Sequence, residues 1–257
     1  MTDTAVAAVA SPFSIGQVVS RTFSVLGRHF LLFFGLAVLA ILPSEFMAFV
    51  MQPGAGGLPF FGAAYWATFI LSMLVSVIMS VLLSAVLTYG TVMDLSGRQA
   101  SFGEALGVAV RLFFPLIGLA IISSFGVGFA FLLLIVPGLM LMTAWIVAVP
   151  VRVIEGTEVF DTFSRSAELT RGHRWSIFGL LVVYFIIAIV VSLIARPLLV
   201  GVSAAHIGGI APLYFIVDGV IRTFTTVISA TGVACLYYEL RSSKEGIGPD
   251  QLASVFE

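Results

Sequence analysis

The sequence predicts an all-α, polytopic membrane protein, a bundle of about six transmembrane helices. Three observations predict this fold. Hydrophobic residues make up 60% of the 257 residues and charged residues only 10%, whereas a soluble domain carries about 25% charged residues. The mean hydropathy is +1.15. The long apolar runs show no alternation of period two, so helices rather than strands are expected to satisfy the backbone inside the bilayer.

Runs of roughly 20 apolar residues are long enough to cross a bilayer as helices. Six runs are candidates, near residues 30–50, 66–93, 116–136, 139–154, 176–200 and 213–240. Pro137 and Gly138 predict a tight break between the third and the fourth. The fourth is short, so we expect it either to be tilted in a thinned bilayer or to form half of a re-entrant hairpin. The chain is then one integral membrane domain, 1–257, with short disordered tails at 1–12 and 242–257.

Charge placement predicts the orientation of the bundle. An even number of spans places ten of the twelve Lys and Arg residues on one side of the membrane: Arg21, Arg28, Arg98, Arg111, Arg152, Arg165, Arg171, Arg174, Arg241 and Lys244. The opposite loops, near residues 51–65 and 201–212, contain no Lys or Arg. By the positive-inside rule, we expect both termini in the cytoplasm.

Three amphipathic segments are expected to lie on the cytoplasmic surface of the bilayer. The most strongly charged segment is 158–175, whose helix has Val159, Phe160, Phe163, Ser166, Ala167 and Thr170 on one side. Two others begin with the pattern Ser-x-x-Gln/Glu, at Ser14 and at Ser101, which is typical of a capping box. Each segment precedes a pair of predicted spans.

The chain contains an internal similarity. A shift of 144 residues aligns residues 20–36 with 164–180 and matches Arg21 with Arg165 and His29 with His173. With the Ser101 segment as a third copy, the repeat units are 14–93, 101–154 and 158–240, and all three run parallel. The alternative is that amphipathic segments entering a membrane resemble one another by chance.

Four ionisable residues fall inside apolar runs, where a charge is costly unless it is paired or hydrated. They are Glu45, Arg196, Asp218 and Arg222. Asp218 and Arg222 are four residues apart and are expected to pair on one helical face. We expect the four to form a polar cluster at the external side. The cluster is either a structural ion-pair network or a site for a substrate or lipid headgroup.

The second span carries a row of hydroxyl residues spaced four apart, namely Ser72, Ser76, Ser80, Ser84 and Thr88. Small residues of this kind favour close helix packing. The alternative, a hydrophilic track for a solute, requires a facing polar surface, and the sequence does not reveal one.

The cytoplasmic segments also supply candidate contacts for phospholipid headgroups. They are Arg21, Arg28, His29, Arg165, Arg171, His173 and Arg174. The alternative is that these are ordinary polar residues of a membrane interface. No sequence motif predicts a catalytic, metal or cofactor site, and the net charge of −1 argues against nucleic acid as a partner.

The region 135–183 resembles the YciC-like bacterial inner-membrane proteins, which are related to the membrane domain fused to some glycerophosphodiester phosphodiesterases. The residues that carry the resemblance are Pro137, Gly138, Pro150, Glu155, Gly156, Ser166, Leu169, Thr170, Gly172 and Trp175. The resemblance implies a multi-pass protein of the bacterial inner membrane. It supplies no active site.

The sequence therefore favours a non-enzymatic membrane protein without a cofactor, with a structural, lipid-interacting or partner-supporting role in the cell envelope. Its expected partners are membrane lipids. The sequence is also compatible with a membrane protein or a second copy of the chain as a partner. The alternative function is a transporter or channel for a small solute or lipid.

Overall fold

The computed structural model describes residues 13–51, 62–98, 101–204 and 211–245, with side chains described except at 195–204 and 211–214. These residues form helices and no strand. The helices are α1 (Ile15–Val50), α2 (Ala63–Leu95), α3 (Phe102–Arg111), α4 (Phe113–Leu133), α5 (Ile135–Trp145), α6 (Ala148–Glu155), α7 (Val159–Thr170), α8 (Arg174–Ala204) and α9 (Ala211–Glu245). The predicted all-α fold is confirmed.

Six helical segments are long and apolar enough to cross a membrane, as predicted. They are Ile15–Val50, Ala63–Leu95, Phe113–Leu133, Ile135–Glu155, Arg174–Ile194 and Phe215–Glu245. The predicted tail 1–12 lies outside the described residues. The predicted tail from residue 242 is wrong at its start, because α9 remains helical to Glu245.

Helix α1 contains both the first predicted surface helix and the first predicted span. The two parts are separated by a kink at His29, where φ is −118° and ψ is 22°. Ser14 is the N-cap residue, but its side chain makes no capping hydrogen bond, so the capping box predicted there is wrong. The box at Ser101 is confirmed, because Ser101 and Glu104 exchange hydrogen bonds of 3.2 Å in both directions.

The break between the third and fourth spans lies at Leu134, not at Pro137 and Gly138 as predicted. Leu134 is extended, with φ −163° and ψ 150°, and α5 already includes Pro137. Proline is tolerated in the first turn of a helix, where the backbone N–H has no helical acceptor. The fourth span, Ile135–Glu155, is interrupted by a turn at residues 146–147. Its 21 residues reach about 31 Å at 1.5 Å per residue, which is enough to cross the ~30 Å hydrocarbon core.

Helices α1, α2 and α9 form the centre of the bundle. Val25 of α1, Leu87 of α2 and Leu236 of α9 are fully buried. By contrast, α4 and α8 present large apolar side chains outward, such as Phe125 and Phe185 at 76% and 67% exposure. Because the lipid hydrocarbon is as apolar as these side chains, such outer faces are compatible with contact with the bilayer.

Helix α7 packs its inner face on the bundle, which changes the expected arrangement of this segment. The buried residues are Thr162, Phe163, Ser166, Leu169 and Thr170. Phe160, which was expected on the apolar side with Phe163, is 75% exposed. Ser166 Oγ donates a hydrogen bond of 2.8 Å to the carbonyl oxygen of Ala144, just before the turn between α5 and α6. One face of α7 is therefore packed against the rest of the bundle, and the other face is exposed.

Candidate functional site

The predicted intramembrane cluster joins α1 and α9. Arg222 Nε lies 2.7 Å from Asp218 Oδ2 and 3.4 Å from Glu45 Oε1. Glu45 is buried, with 8% exposure, whereas the Arg222 side chain is 63% exposed. The side chain of the fourth candidate, Arg196, lies outside the described residues. The predicted Asp218–Arg222 ion pair is thus present. Glu45 forms a second ion pair with the same arginine.

Glu45 lies in an apolar groove between α1 and α9, which has a cavity volume of about 370 Å³. The apolar lining includes Val38, Ile41, Leu42, Phe46, Ile216 and Val220. Phe46 and Ile216 are 66% and 61% exposed, so the groove is open to the outside of the bundle. A buried carboxylate and an exposed guanidinium therefore flank a lipophilic surface, and together they form an amphipathic site.

The hydroxyl row of α2 lines a second cavity, of about 360 Å³. Ser80, Ser84 and Thr88 line it, while Ser72 and Ser76 lie outside it. The other side of the cavity carries hydroxyl groups from α8 and α9, namely Tyr184, Thr225, Thr226 and Ser229. The facing polar surface that the sequence did not reveal is therefore present. Close helix packing therefore does not account for the whole row, because three of its five residues line a cavity.

A network of ion pairs and hydrogen bonds connects α6, α7 and α9 at the opposite end of α9 from Arg222. Arg165 Nε lies 2.9 Å from Glu155 Oε2, and Arg165 Nη2 also pairs with Glu245. Tyr237 donates a hydrogen bond of 2.9 Å to Glu155, and Arg241 donates one of 3.0 Å to Glu245. We call these five residues the Arg165 network. It connects the C-terminal ends of α6 and α9 to the middle of α7.

The pKa of Arg165 reflects this environment. Burial alone would lower it, but the hydrogen bonds and negative charges of Glu155 and Glu245 outweigh burial and raise the pKa above the ordinary value. Arg165 is thus a permanent cation held by the protein's own carboxylates.

Several candidate headgroup contacts pair with carboxylates of the protein. Arg21 Nη1 lies 3.1 Å from Glu239 Oε1. Arg28 and His29 both contact Asp94, at 2.5 Å and 2.9 Å. With Arg165, four of the seven candidates have such a partner, and these internal pairs compete with a headgroup contact. The remaining candidates are Arg171, His173 and Arg174. Of these, Arg171 is exposed.

His173 lies in the short connection between α7 and α8. Burial lowers the pKa of its imidazole, and the positive charge of Lys244 lowers it further. Its Nδ1 atom is buried and has no hydrogen-bond partner among the described residues. The Phe13 ring packs on it at a centroid distance of 4.9 Å. These contacts favour a neutral packing role for His173 over binding of an anionic headgroup.

The carboxylates that hold these cations, above all Asp94, Glu239 and Glu245, are not among the candidate residues that the sequence predicted. A signal for two of them was present. Asp94 and Glu239 each lie at the predicted cytoplasmic end of the last span in a predicted repeat unit, directly before a leucine. Acids at such an end are well placed to pair with arginines of the surface helices. The partner of each acid depends on how the helices pack, which the sequence pattern does not state.

No group of three or more His, Cys, Asp or Glu residues that could hold a metal ion occurs within the described ranges. Comparison of the chain with protein-family models, with curated proteins and with solved structures found no match. The resemblance to YciC-like proteins therefore stays a prediction that rests on the residues of region 135–183.

Proposed function

We propose that this membrane protein binds a phospholipid in the groove between α1 and α9, without catalysing a reaction. We place it in the bacterial cytoplasmic membrane with both termini in the cytoplasm. The distribution of Lys and Arg supports this orientation, because ten of the twelve are predicted to lie on one side. The binding role makes the lipid-interacting function the preferred one among those that the sequence favours.

The observation that carries the proposal is the position of Glu45, Asp218 and Arg222 beside the apolar groove. Glu45 is sixteen residues beyond the kink at His29, or about 24 Å along the helix. That distance brings it near the far boundary of a ~30 Å hydrocarbon core. A headgroup can contact the ionic residues there. An acyl chain can then follow the groove inward past Leu42 and Val38.

Charge complementarity favours phosphatidylethanolamine as the lipid. The described cluster has two carboxylates and one guanidinium, hence a formal charge of −1. Both ion pairs of Arg222 in the described chain use Nε. The Nη groups of this exposed side chain are therefore positioned to bind a phosphate, and Asp218 is positioned to bind an ammonium group. A lipid that carries both groups satisfies both partners.

Lipid retention tests the proposal. The protein is reconstituted with phosphatidylethanolamine and phosphatidylglycerol, extracted in mild detergent and analysed by native mass spectrometry. We expect the native protein to retain phosphatidylethanolamine. Arg222→Gln removes a charge-assisted interaction of about 1.5–3 kcal/mol, which corresponds to roughly 10- to 100-fold weaker binding. Asp218→Asn should reduce the preference for phosphatidylethanolamine over phosphatidylglycerol.

Arg28→Gln is the matched control, because Arg28 is also an exposed arginine paired with a carboxylate but lies far from the groove. It should leave lipid retention unchanged. Ile216→Trp fills the groove without altering any charge and should also release the lipid, so the result does not depend on the stability of the Arg222 variant. Equal retention of phosphatidylethanolamine by the native protein, by Arg222→Gln and by Ile216→Trp would refute the proposal.

A further inference from the structure

The cavity between α2, α8 and α9 contains more hydrogen-bonding groups than the protein itself satisfies. Thr88 is only 2% exposed, and its hydroxyl makes no hydrogen bond within the described part of the chain. The hydroxyls of Ser84, Thr226 and Ser229, which are half-buried, and of Ser80, which is exposed, also make no hydrogen bond within the described residues. Since an unpaired hydroxyl in apolar surroundings is destabilising, these groups point to a polar occupant.

Two other hydroxyls in the cavity are already used. Thr225 Oγ1 donates to the carbonyl oxygens of Ile221 and Arg222, at 3.0 Å each. Tyr184 donates to the carbonyl oxygen of Thr225 at 3.3 Å. These bonds hold the α8 and α9 side of the cavity in place, while Thr226 and Ser229 remain available to a ligand.

The cavity is polar but uncharged. The residues that line it are Ser, Thr and Tyr together with apolar side chains such as Ile146, Val149 and Val233. An ion that entered would lose its hydration without gaining a counter-charge, which is unfavourable. A neutral molecule with several hydroxyl groups can instead donate to and accept from each free side chain. The volume of about 360 Å³ lies within the usual ~300–1,000 Å³ range of ligand pockets.

The depth of the cavity indicates a binding site rather than a continuous pore. Thr88 is seven residues from the end of α2 at Leu95 and Ser80 is fifteen residues from it, about 10 and 22 Å. The free hydroxyls of α2 thus extend over about 12 Å, from Ser80, which is exposed, through Ser84, which is half-buried, to Thr88, which is buried. The turn between α5 and α6 adjoins them at Ile146, and α8 supplies Tyr184 on the remaining side.

We propose that this cavity binds a neutral polyol, either a free solute or the sugar headgroup of a glycolipid. The site is independent of the lipid groove, which lies between α1 and α9 and shares no lining residue with it. Failure of one proposal therefore leaves the other intact. The site also gives the alternative function, transport of a small solute or lipid, a specific place to bind its substrate.

Binding of radiolabelled sorbitol to the purified, full-length protein tests the free-solute source. Thr88→Val and Thr226→Val each remove one hydroxyl at nearly constant shape and should weaken binding roughly three- to tenfold. Thr143→Val is the matched control, because Thr143 is a buried threonine of α5 outside the cavity and its hydroxyl already bonds to the carbonyl oxygens of Leu139 and Met140 at 3.0 Å each. Glycerol 3-phosphate, a charged polyol derivative, should not compete with sorbitol.

A thiol-protection experiment gives a second readout. Ser84→Cys should react with a small water-soluble thiosulfonate, and sorbitol should slow the reaction. Ser72→Cys lies on the same row outside the cavity, so sorbitol should not protect it. The native Cys235 is fully buried, and the native protein reports any background labelling.

Retention of a monoglucosyl diacylglycerol by native mass spectrometry tests the headgroup source. Sorbitol binding that depends on Thr88 and Thr226 supports a free polyol, and glycolipid retention with the same dependence supports a headgroup. The proposal is overturned if neither probe binds. It is also overturned if the Thr88, Thr226 and Thr143 variants bind a probe equally well.

Discussion

Replacement of Arg165 with Gln tests whether the Arg165 network stabilises the fold. The Arg165 side chain is only 25% exposed, and it contacts Glu155 and Glu245, whose side chains are 13% and 23% exposed. The substitution leaves both acids in a partly desolvated position without this cation. Glu155 keeps the hydrogen bond from Tyr237, and Glu245 keeps the ion pair with Arg241. The acids thus lose only part of their stabilisation.

The size of the effect follows from this burial. Breaking a fully buried ion pair costs about 3–5 kcal/mol, whereas an exposed pair contributes about 0–1 kcal/mol. Because the network is three-quarters buried at Arg165 and retains other partners, we expect a loss of about 2–3 kcal/mol in the free energy of unfolding. At roughly 2–4 °C per kcal/mol for a chain of this size, the apparent Tm should fall by about 4–12 °C.

The assay is the fraction of monodisperse protein that remains in mild detergent after heating, measured by gel filtration. Membrane proteins often unfold irreversibly, so all variants are heated at the same rate. Arg165→Lys keeps the charge but loses the planar fork that contacts two acids, and it should give an intermediate Tm. Arg28→Gln is the control. The Arg28 side chain is 52% exposed, so the loss should be below about 1 kcal/mol.

An apparent Tm of Arg165→Gln within about 1 °C of the native value would contradict this reasoning. A larger loss for Arg28→Gln than for Arg165→Gln would do the same. In either case, the Arg165 network would contribute no more than ordinary surface ion pairs.

Two further predictions concern packing at the connection between α7 and α8 and between the third and fourth spans. The lowered pKa of His173 means that the folded state favours neutral imidazole. Its stabilising contribution is present above the unfolded pKa of about 6.5 and is lost as the pH falls below it. His173→Gln should therefore flatten the fall in apparent Tm between pH 7 and pH 5, whereas an unchanged slope would exclude this role. Gly126→Ala places a Cβ 2.5 Å from the Trp145 ring and should lower the free energy of unfolding by about 1–3 kcal/mol, measured by the same heating assay. Gly128→Ala, which meets no atom within 4 Å, should not destabilise the protein, and equal losses for both would refute the packing argument.

The features that depend on run length and composition were predictable from the sequence. Six apolar runs gave six candidate spans, because the bilayer core sets the length of a helix that crosses it. Rules that depend on one residue or on a short motif were less reliable. Pro137 suggested a helix break, yet the first turn of α5 accommodates it and the break falls at Leu134. Ser14 matched a capping pattern that requires side-chain geometry as well as residue type.

The side of the hydroxyl cavity that faces α2 could not be predicted from the sequence. Ser80 and Thr88 stand out because their spacing is regular. Thr226 and Ser229 belong to a helix more than a hundred residues away, and their spacing of three is unremarkable on its own. Their importance comes from the packing of α9 opposite α2. Helix pairing of this kind depends on many side chains at once, so no single-helix pattern predicts it.

The ion pairs at the predicted cytoplasmic end offer a physical reason for the predicted repeat. Glu155, directly after the second unit, pairs with Arg165 in the predicted surface helix of the third. Glu239, near the end of the third unit, pairs with Arg21 in the first part of α1. Arg21 and Arg165 are aligned by the shift of 144 residues. An acid that ends one unit thus holds the surface helix of the next, and the third unit connects back to the first.

Asp94, directly after the first unit, departs from this order for a reason visible in the sequence. Alignment of Ser14 with Ser101 places Val108 where the other two surface helices have arginine. The second surface helix therefore offers Asp94 no cation at that position. Asp94 instead contacts Arg28 and His29 beside the kink of α1, within its own unit. If the predicted repeat is correct, the pairs of Glu155 and Glu239 join successive units, whereas Asp94 pairs within the first unit because Val108 offers it no cation.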